Sequence, residues 1–277
     1  METRYTAATV LFAALIASGC TSGLPLSDGG GSSDQPQQVP GKGLIVQDLR
    51  ITDQTLSPEQ SAVITLVLKN FHREPIDIGE ITMINQQPLS KEKQGCTPEE
   101  IGKARPEVKP VMECKWEVTA PTSEEIGSFS QRKTSVAVNV PYQSRMVNYQ
   151  PLKVQFKSFE DINTTKKKAM TYSNGEIEAS MQTESPVALG QEKNVQFKVS
   201  KSGTGRLRGN FSFDYSPATL FSEDCPDEKK PVLENQVEFG CSVGVDSSSS
   251  SVRNLFLTIG YKYAQSPSLG VTIVKNS

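Results

Sequence analysis

The sequence has a single histidine, His72, in 277 residues. That scarcity excludes most metal-ligand sets, which lean on imidazole, and most histidine-based acid–base chemistry. Paired Cys-x-x-Cys motifs and glycine-rich phosphate loops are missing too, so zinc ribbons, thioredoxin-like redox centres and nucleotide sites have no footing. Charge of one sign is equally lacking. Lys plus Arg number 29 against 31 Asp plus Glu, a formal charge of −2 and a pI near 5.7. Such balance leaves no electrostatic footprint for nucleic acid and argues against a high-salt proteome. What is present suffices to fold: the apolar fraction is 36% and charged residues are 22%, outside the compositional range of wholesale disorder.

The N-terminus is organised differently from the rest. Met1 to Tyr5 carry Glu2 and Arg4, Thr6 to Gly19 are uncharged, and Cys20 follows. As a helix, the uncharged stretch would rise roughly 21 Å at about 1.5 Å per residue, short of the ~30 Å hydrocarbon layer. A signal peptide over 1–19 fits better than a membrane span. Ala17-Ser18-Gly19-Cys20 resembles a lipobox, which implies lipidation at Cys20. The alternatives are an ordinary signal peptide with a coincidental cysteine, or an uncleaved anchor. Cysteine parity supports lipidation. There are five cysteines, and if Cys20 carries lipid, Cys96 with Cys114 and Cys225 with Cys241 remain as two local pairs. Paired disulfides belong to an oxidising compartment. Residues 20–43, rich in Gly, Ser, Gln and Pro, cannot bury apolar surface and read as a flexible tether.

From Leu44 onward the dominant period is two. Alternation runs through Ala62, Ile64, Leu66 and Leu68, through Val136, Val138, Val140 and Tyr142, through Val237 to Val245, and through Leu255 to Tyr263. These are half-buried antiparallel strands. The pattern also repeats. Cys96 leads through an acidic stretch and Lys109-Pro110 to Cys114, Trp116 and Val118; Cys225 leads through another and Lys230-Pro231 to Cys241, Val243 and Val245. Each copy closes with a short strand, Leu152 to Lys157 and Leu269 to Lys275. The expected organisation is two β-sandwich domains, 44–158 and 176–277, joined by a linker at 159–175. The fold class is all-β, immunoglobulin-like. Cysteine partners only 18 and 16 residues apart would pin a loop onto the following strand, each closure contributing about 3 kcal/mol. Trp116 shares a face with Cys114 and is the expected centre of the first core. Thr97-Pro98-Glu99-Glu100 carries the residues of a capped helical turn, and Ser216-Pro217 begins a comparable segment.

No candidate site reads as catalytic. His72, between Asn70 and Pro75, is expected at a solvated hairpin tip, and no Gly-x-Ser-x-Gly elbow accompanies it. Glu223, Asp224, Asp227 and Glu228 offer oxygen ligands of the kind Ca²⁺ takes, although their spacing matches no standard loop and a solvated acidic loop is the simpler reading. Lys166 to Lys168 suit an anionic surface or a soluble linker. Asn163 and Asn210 begin N-glycosylation sequons, as often as composition alone would produce. Tyr142, Tyr261 and Tyr263 are expected near strand ends, their hydroxyls satisfying backbone at sheet corners.

Lipobox, polar tether and two β modules together resemble prokaryotic surface lipoproteins with tandem immunoglobulin-like domains, including the CARDB-like domains of archaeal envelopes. The resemblance implies a non-enzymatic, cofactor-free protein anchored outside the cytoplasm by N-terminal lipid. It would mediate adhesion or interaction with a protein or glycan partner and not with nucleic acid. A subunit of a surface layer or filament, assembled by strand addition, and a solute-binding accessory lipoprotein of a transporter are the alternatives.

Overall fold

The computed structural model describes residues 43–229, 231, 236–245 and 249–275. The expected signal peptide, Cys20 and nearly all of the expected tether lie outside them. The first half contains β1 (Leu44–Ile51), β2 (Thr55–Leu56), β3 (Ser61–Asn70), β4 (Asp77–Ile78), β5 (Thr82–Ile84), β6 (Ser90–Thr97), β7 (Val111–Thr119), β8 (Gln131–Val147) and β9 (Leu152–Lys157). The second contains β10 (Lys166–Ser173), β11 (Ile177–Ser185), β12 (Val187–Ala188), β13 (Lys193–Lys201), β14 (Arg206–Ser216), β15 (Glu228–Lys229), β16 (Gln236–Val243), β17 (Ser251–Gln265) and β18 (Ser268–Val274). The architecture is all-β, a sandwich of antiparallel sheets.

Alternation sets which face goes inward. In β7, Met112, Cys114, Trp116 and Val118 all point to the core and Trp116 is fully buried, as its spacing from Cys114 predicts. Cys96 and Cys114 face one another across β6 and β7 and are bridged. The second core is more aromatic: Phe197 stacks on Phe239, and Phe213 meets Phe239 edge-on.

Sheet topology departs from two separate sandwiches. One sheet runs β1-β3-β7-β6 in the first half and another β10-β11-β13-β16 in the second. The sheet that faces them is shared, in the order β12-β9-β17-β8-β18-β2. β8 pairs with β18 from Gln131↔Val274 to Ala137↔Ser268 and with β17 from Val140↔Gln265 to Val147↔Thr258. β17 then pairs with β9 from Leu255↔Leu152 to Ser251↔Phe156. The two short strands expected to close each copy are therefore exchanged: β9 completes the second sandwich and β18 the first. Each also takes a short parallel partner in its adopted half, β12 for β9 and β2 for β18. The halves are repeats related by a pseudo-twofold that passes beside the Gln143↔Lys262 pair at the centre of the ladder.

Three local expectations change. The linker at 159–175 is ordered backbone, a 3-10 turn at Phe159–Asp161 followed by β10, which pairs with β11 over eight residues. Alternation there is real, since Met170 and Tyr172 are buried, but the three lysines before it mask the signal. Thr97 stays extended in β6, held beside the bridged Cys96, so no helical turn starts there. The capped turn forms instead at Thr122, whose hydroxyl accepts from the Glu125 N–H while the Glu125 carboxylate accepts from the Thr122 N–H, starting α1 (Ser123–Ile126). The segment after Ser216-Pro217 does form a short 3-10 turn at Ala218–Leu220.

Candidate functional site

The pseudo-twofold brings β1 and β11 together at their starts. Leu44 pairs with Asn70 as Ile177 pairs with Lys201. The bonds just outside agree, with the Phe71 N–H donating to the Gly43 carbonyl and the Ser202 N–H to the Glu176 carbonyl. Gly43 and Glu176 are thus equivalent positions, as are His72 and Gly203. Two glutamates could not share the axis, and the chain breaks its own symmetry there. Gly43, at φ +67°, leaves the volume into which the Glu176 side chain projects, and a Cβ on it would run into Glu176 Oε1.

Glu176 is 2% exposed, and a buried carboxyl needs every acceptor site filled. Its Oε1 accepts from the Leu44 N–H at 2.8 Å and the Tyr142 hydroxyl at 2.5 Å, and meets His72 Nε2 at 2.9 Å. Oε2 accepts from the Tyr261 hydroxyl at 2.6 Å. Tyr142 and Tyr261 are themselves equivalent across the axis, so one carboxyl group receives a phenol from each half. The Asn174 amide donates to Tyr261, and Gln265 to Tyr142 and to the Leu44 carbonyl. Burial, then the Glu176 charge, pushes the Tyr142 and Tyr261 phenols far above their ordinary range.

His72 corrects its expected place. It is 4% exposed, not at a solvated tip: its N–H donates to Asn70 Oδ1, and its ring lies between Glu176 and Ser144, with Nδ1 3.2 Å from Ser144 Oγ. Ser144, His72 and Glu176 therefore stand in a row with residue types familiar from hydrolases. The serine is buried at 4% exposure and points inward, where a substrate carbonyl has no approach. What this arrangement can do is fasten one half to the other. The tyrosines are corrected as well. Tyr142, Tyr261 and Tyr263 lie in the central ladder and not at sheet corners; the tyrosines whose hydroxyls donate to backbone are Tyr215, to the Pro226 carbonyl, and Tyr172, to the Leu257 carbonyl.

Across the axis the volumes are exchanged. Where the first half has large His72 and small Ser144, the second has Gly203 and large Tyr263, and a Cβ at Gly203 would lie 2.5 Å from the Tyr263 hydroxyl. That hydroxyl is buried, with the Gly205 backbone nearby, and burial followed by the Glu176 charge pushes it up to about 12. Beside it opens a pocket of about 420 Å³, walled by Leu44 to Val46 on β1, by Gly175, Glu176 and Gly203 to Gly205 of the second half, by Tyr263, and by Gln265 to Pro267 at the end of β17 and the bend into β18.

The remaining candidates stay apart. Glu223, Asp224, Asp227 and Glu228 do not converge; among the described residues no three His, Cys, Asp or Glu side chains form a metal-holding group. Glu228 instead accepts from Asn210 Nδ2 at 3.1 Å, and Asp224 from Ser222. Asn163, Asn210 and Lys166 to Lys168 are exposed. Cys225 and Cys241, expected as a second bridge, are unbonded thiols. The Ser222 N–H donates to the Ser242 carbonyl and the Cys225 N–H to the Ser222 carbonyl, which holds the two thiols in contact. Burial, and then Cys225, raise the Cys241 thiol above its ordinary range.

No protein-family model matches the sequence, and no curated protein matches it. Among solved structures, one match is to the collagen adhesin from S. aureus, at 9% identity and a TM-score of 0.17, covering 83% of this chain and 92% of that one. The sandwich assignment accordingly rests on the strands and ladders of this chain.

Proposed function

We propose that the chain is a non-catalytic surface protein, anchored outside the cytoplasm through lipid on Cys20, that binds a protein or glycan partner through its loops and sheet edges. The observation that carries this reading is the use made of its reactive residue types. His72, Ser144 and Glu176 are all spent inside the seam between the halves, and the outward surfaces are loops and unpaired edges of the kind used for strand addition. The oxidised Cys96–Cys114 pair supports the extracytoplasmic part, and in that setting Cys225 and Cys241 join as a second bridge.

Pull-down of envelope fragments by the detergent-solubilised full chain tests the binding role. Reproducible capture of a protein or glycan is expected, and a chain that captures neither sinks the reading. Intact mass measured before and after reduction tests the setting: native material should gain four hydrogens on reduction and carry a lipid adduct on Cys20.

A further inference from the structure

The pseudo-twofold matches β1, β3 and β7 to β11, β13 and β16, and at the edge where these sheets begin only the second half carries a further strand. In the second half, β10 lies along β11 and pairs with it from Lys166↔Ser185 to Ser173↔Glu178. β10 seats Tyr172 opposite Ala179 and Met170 opposite Met181. Met170 reaches the bend between β8 and β9, its Sδ 3.9 Å from Asn148 Nδ2, and the Tyr172 hydroxyl donates to the Leu257 carbonyl on the neighbouring β17. In the first half, β1 pairs with β3 on one side only and forms the edge of its sheet. Nothing among the described residues occupies the place that β10 takes beside β11.

Two observations show that this place is a seat and not just an unpaired edge. Val46 and Leu49, the counterparts of Ala179 and Met181, are half-buried, whereas Ala179 and Met181 are fully buried under β10. The bend between β17 and β18, the counterpart of the bend that receives Met170, forms one wall of the 420 Å³ pocket, with the start of β1 opposite and Glu176, Gly203 to Gly205 and Tyr263 completing it. The cavity therefore lies where the second half holds its inserted side chains.

We propose that β1 is a docking edge for an extended segment of a partner protein, which adds as an antiparallel strand and places two apolar side chains spaced by two residues on its inner face, one opposite Val46 in this pocket and one over Leu49. The proposal rests on the binding reading above and specifies its partner. Leu44 is already engaged, through Glu176 and Gln265, and a bulge lies between Val46 and Asp48. The engagement of Leu44 confines the added strand to a short segment along Val46 to Ile51, and the bulge inside it is where the new ladder shifts register. The residues that precede β1, Gln35-Pro36-Gln37-Gln38-Val39-Pro40, are poor strand formers because each proline removes a ladder donor, which favours a segment from another molecule.

The strand that fills the equivalent seat supplies the probe. A synthetic peptide of sequence Lys-Lys-Lys-Ala-Met-Thr-Tyr-Ser is titrated into the full chain while amide exchange is followed. Saturable binding is expected, with exchange at Val46 to Ile51 slowed about tenfold or more. Replacing the peptide's Met and Tyr by Ser should abolish it, and Ser266→Trp, which enlarges a residue lining the pocket, should weaken it. Unchanged exchange at saturating peptide overturns the proposal. So does strong protection of these amides before peptide is added, which would mean that the chain covers its own edge. If the peptide fails while envelope partners are still captured, the docking edge is lost and the binding reading stands.

Discussion

At the residue scale, the seam depends on one carboxyl group receiving donors from both halves. Tyr142→Phe and Tyr261→Phe each remove a phenol donor to Glu176 and should each cost about 1.5–3 kcal/mol, the range for hydrogen bonds to a charged group. Because both act on Glu176, the double variant should depart from additivity by about 0.5 kcal/mol or more, as read from urea midpoints. Gly43→Ala tests the broken symmetry. The new Cβ would collide with Glu176 Oε1 at a backbone angle of +67°, and a loss of about 2–4 kcal/mol is expected from strain plus displaced donors. A Gly43→Ala variant as stable as the parent would show that the carboxylate has room elsewhere. None of this seam is legible in the sequence. Ser173-Asn174-Gly175-Glu176 reads as a turn and His72-Arg73-Glu74-Pro75 as a hairpin tip, and both are turns; what hides them is contact between residues 104 positions apart.

At the scale of elements, local pattern and long-range pairing separate cleanly. Period-two alternation locates β3, β8, β16 and β17, the spacing of Cys114 and Trp116 places the first core, and the Cys96–Cys114 bridge follows from proximity in sequence. Strand exchange does not follow, because β9 and β18 have the same alternation whichever sandwich they complete. Thr97-Pro98-Glu99-Glu100 has the residues of a capped turn, but the bridge beside Thr97 holds it in strand, and the capping box forms at Thr122, where no such tie intervenes. The exchange makes a specific prediction. Val271→Pro removes an N–H from the β8–β18 ladder at a buried position and should cost about 3 kcal/mol or more. Its amide exchange should rise in β3 and β7 of the first half, although residue 271 belongs to the second half by sequence. Faster exchange confined to β13 and β16 would contradict the observed pairing.

For the whole molecule, shared strands should abolish independent melting: heat and urea should unfold both halves in one transition, with near-ultraviolet and far-ultraviolet signals coincident. Alkali acts on the same cooperative unit. Tyr142, Tyr149, Tyr172, Tyr215, Tyr261 and Tyr263 are all raised above their ordinary value of 10, first by burial, Tyr149 and Tyr263 to about 12. Between pH 10 and 12 the unfolded chain binds fewer protons than the folded one, so stability is full below about pH 10 and declines as pH rises. Urea midpoints taken at intervals from pH 8 to 12 should stay level and then fall, with phenolate absorbance appearing together with unfolding. The return of β18 to the first sandwich also decides how tension would travel. Gly43 starts beside the central ladder, while Val274 ends at the far end of the same sandwich, next to Gln131. A pull between Gly43 and Lys275 would load β1 and β18 along their lengths, in shear, with many backbone bonds resisting at once. The second sandwich would lie outside the load path until β18 gave way, a sheltered platform on a chain under stress.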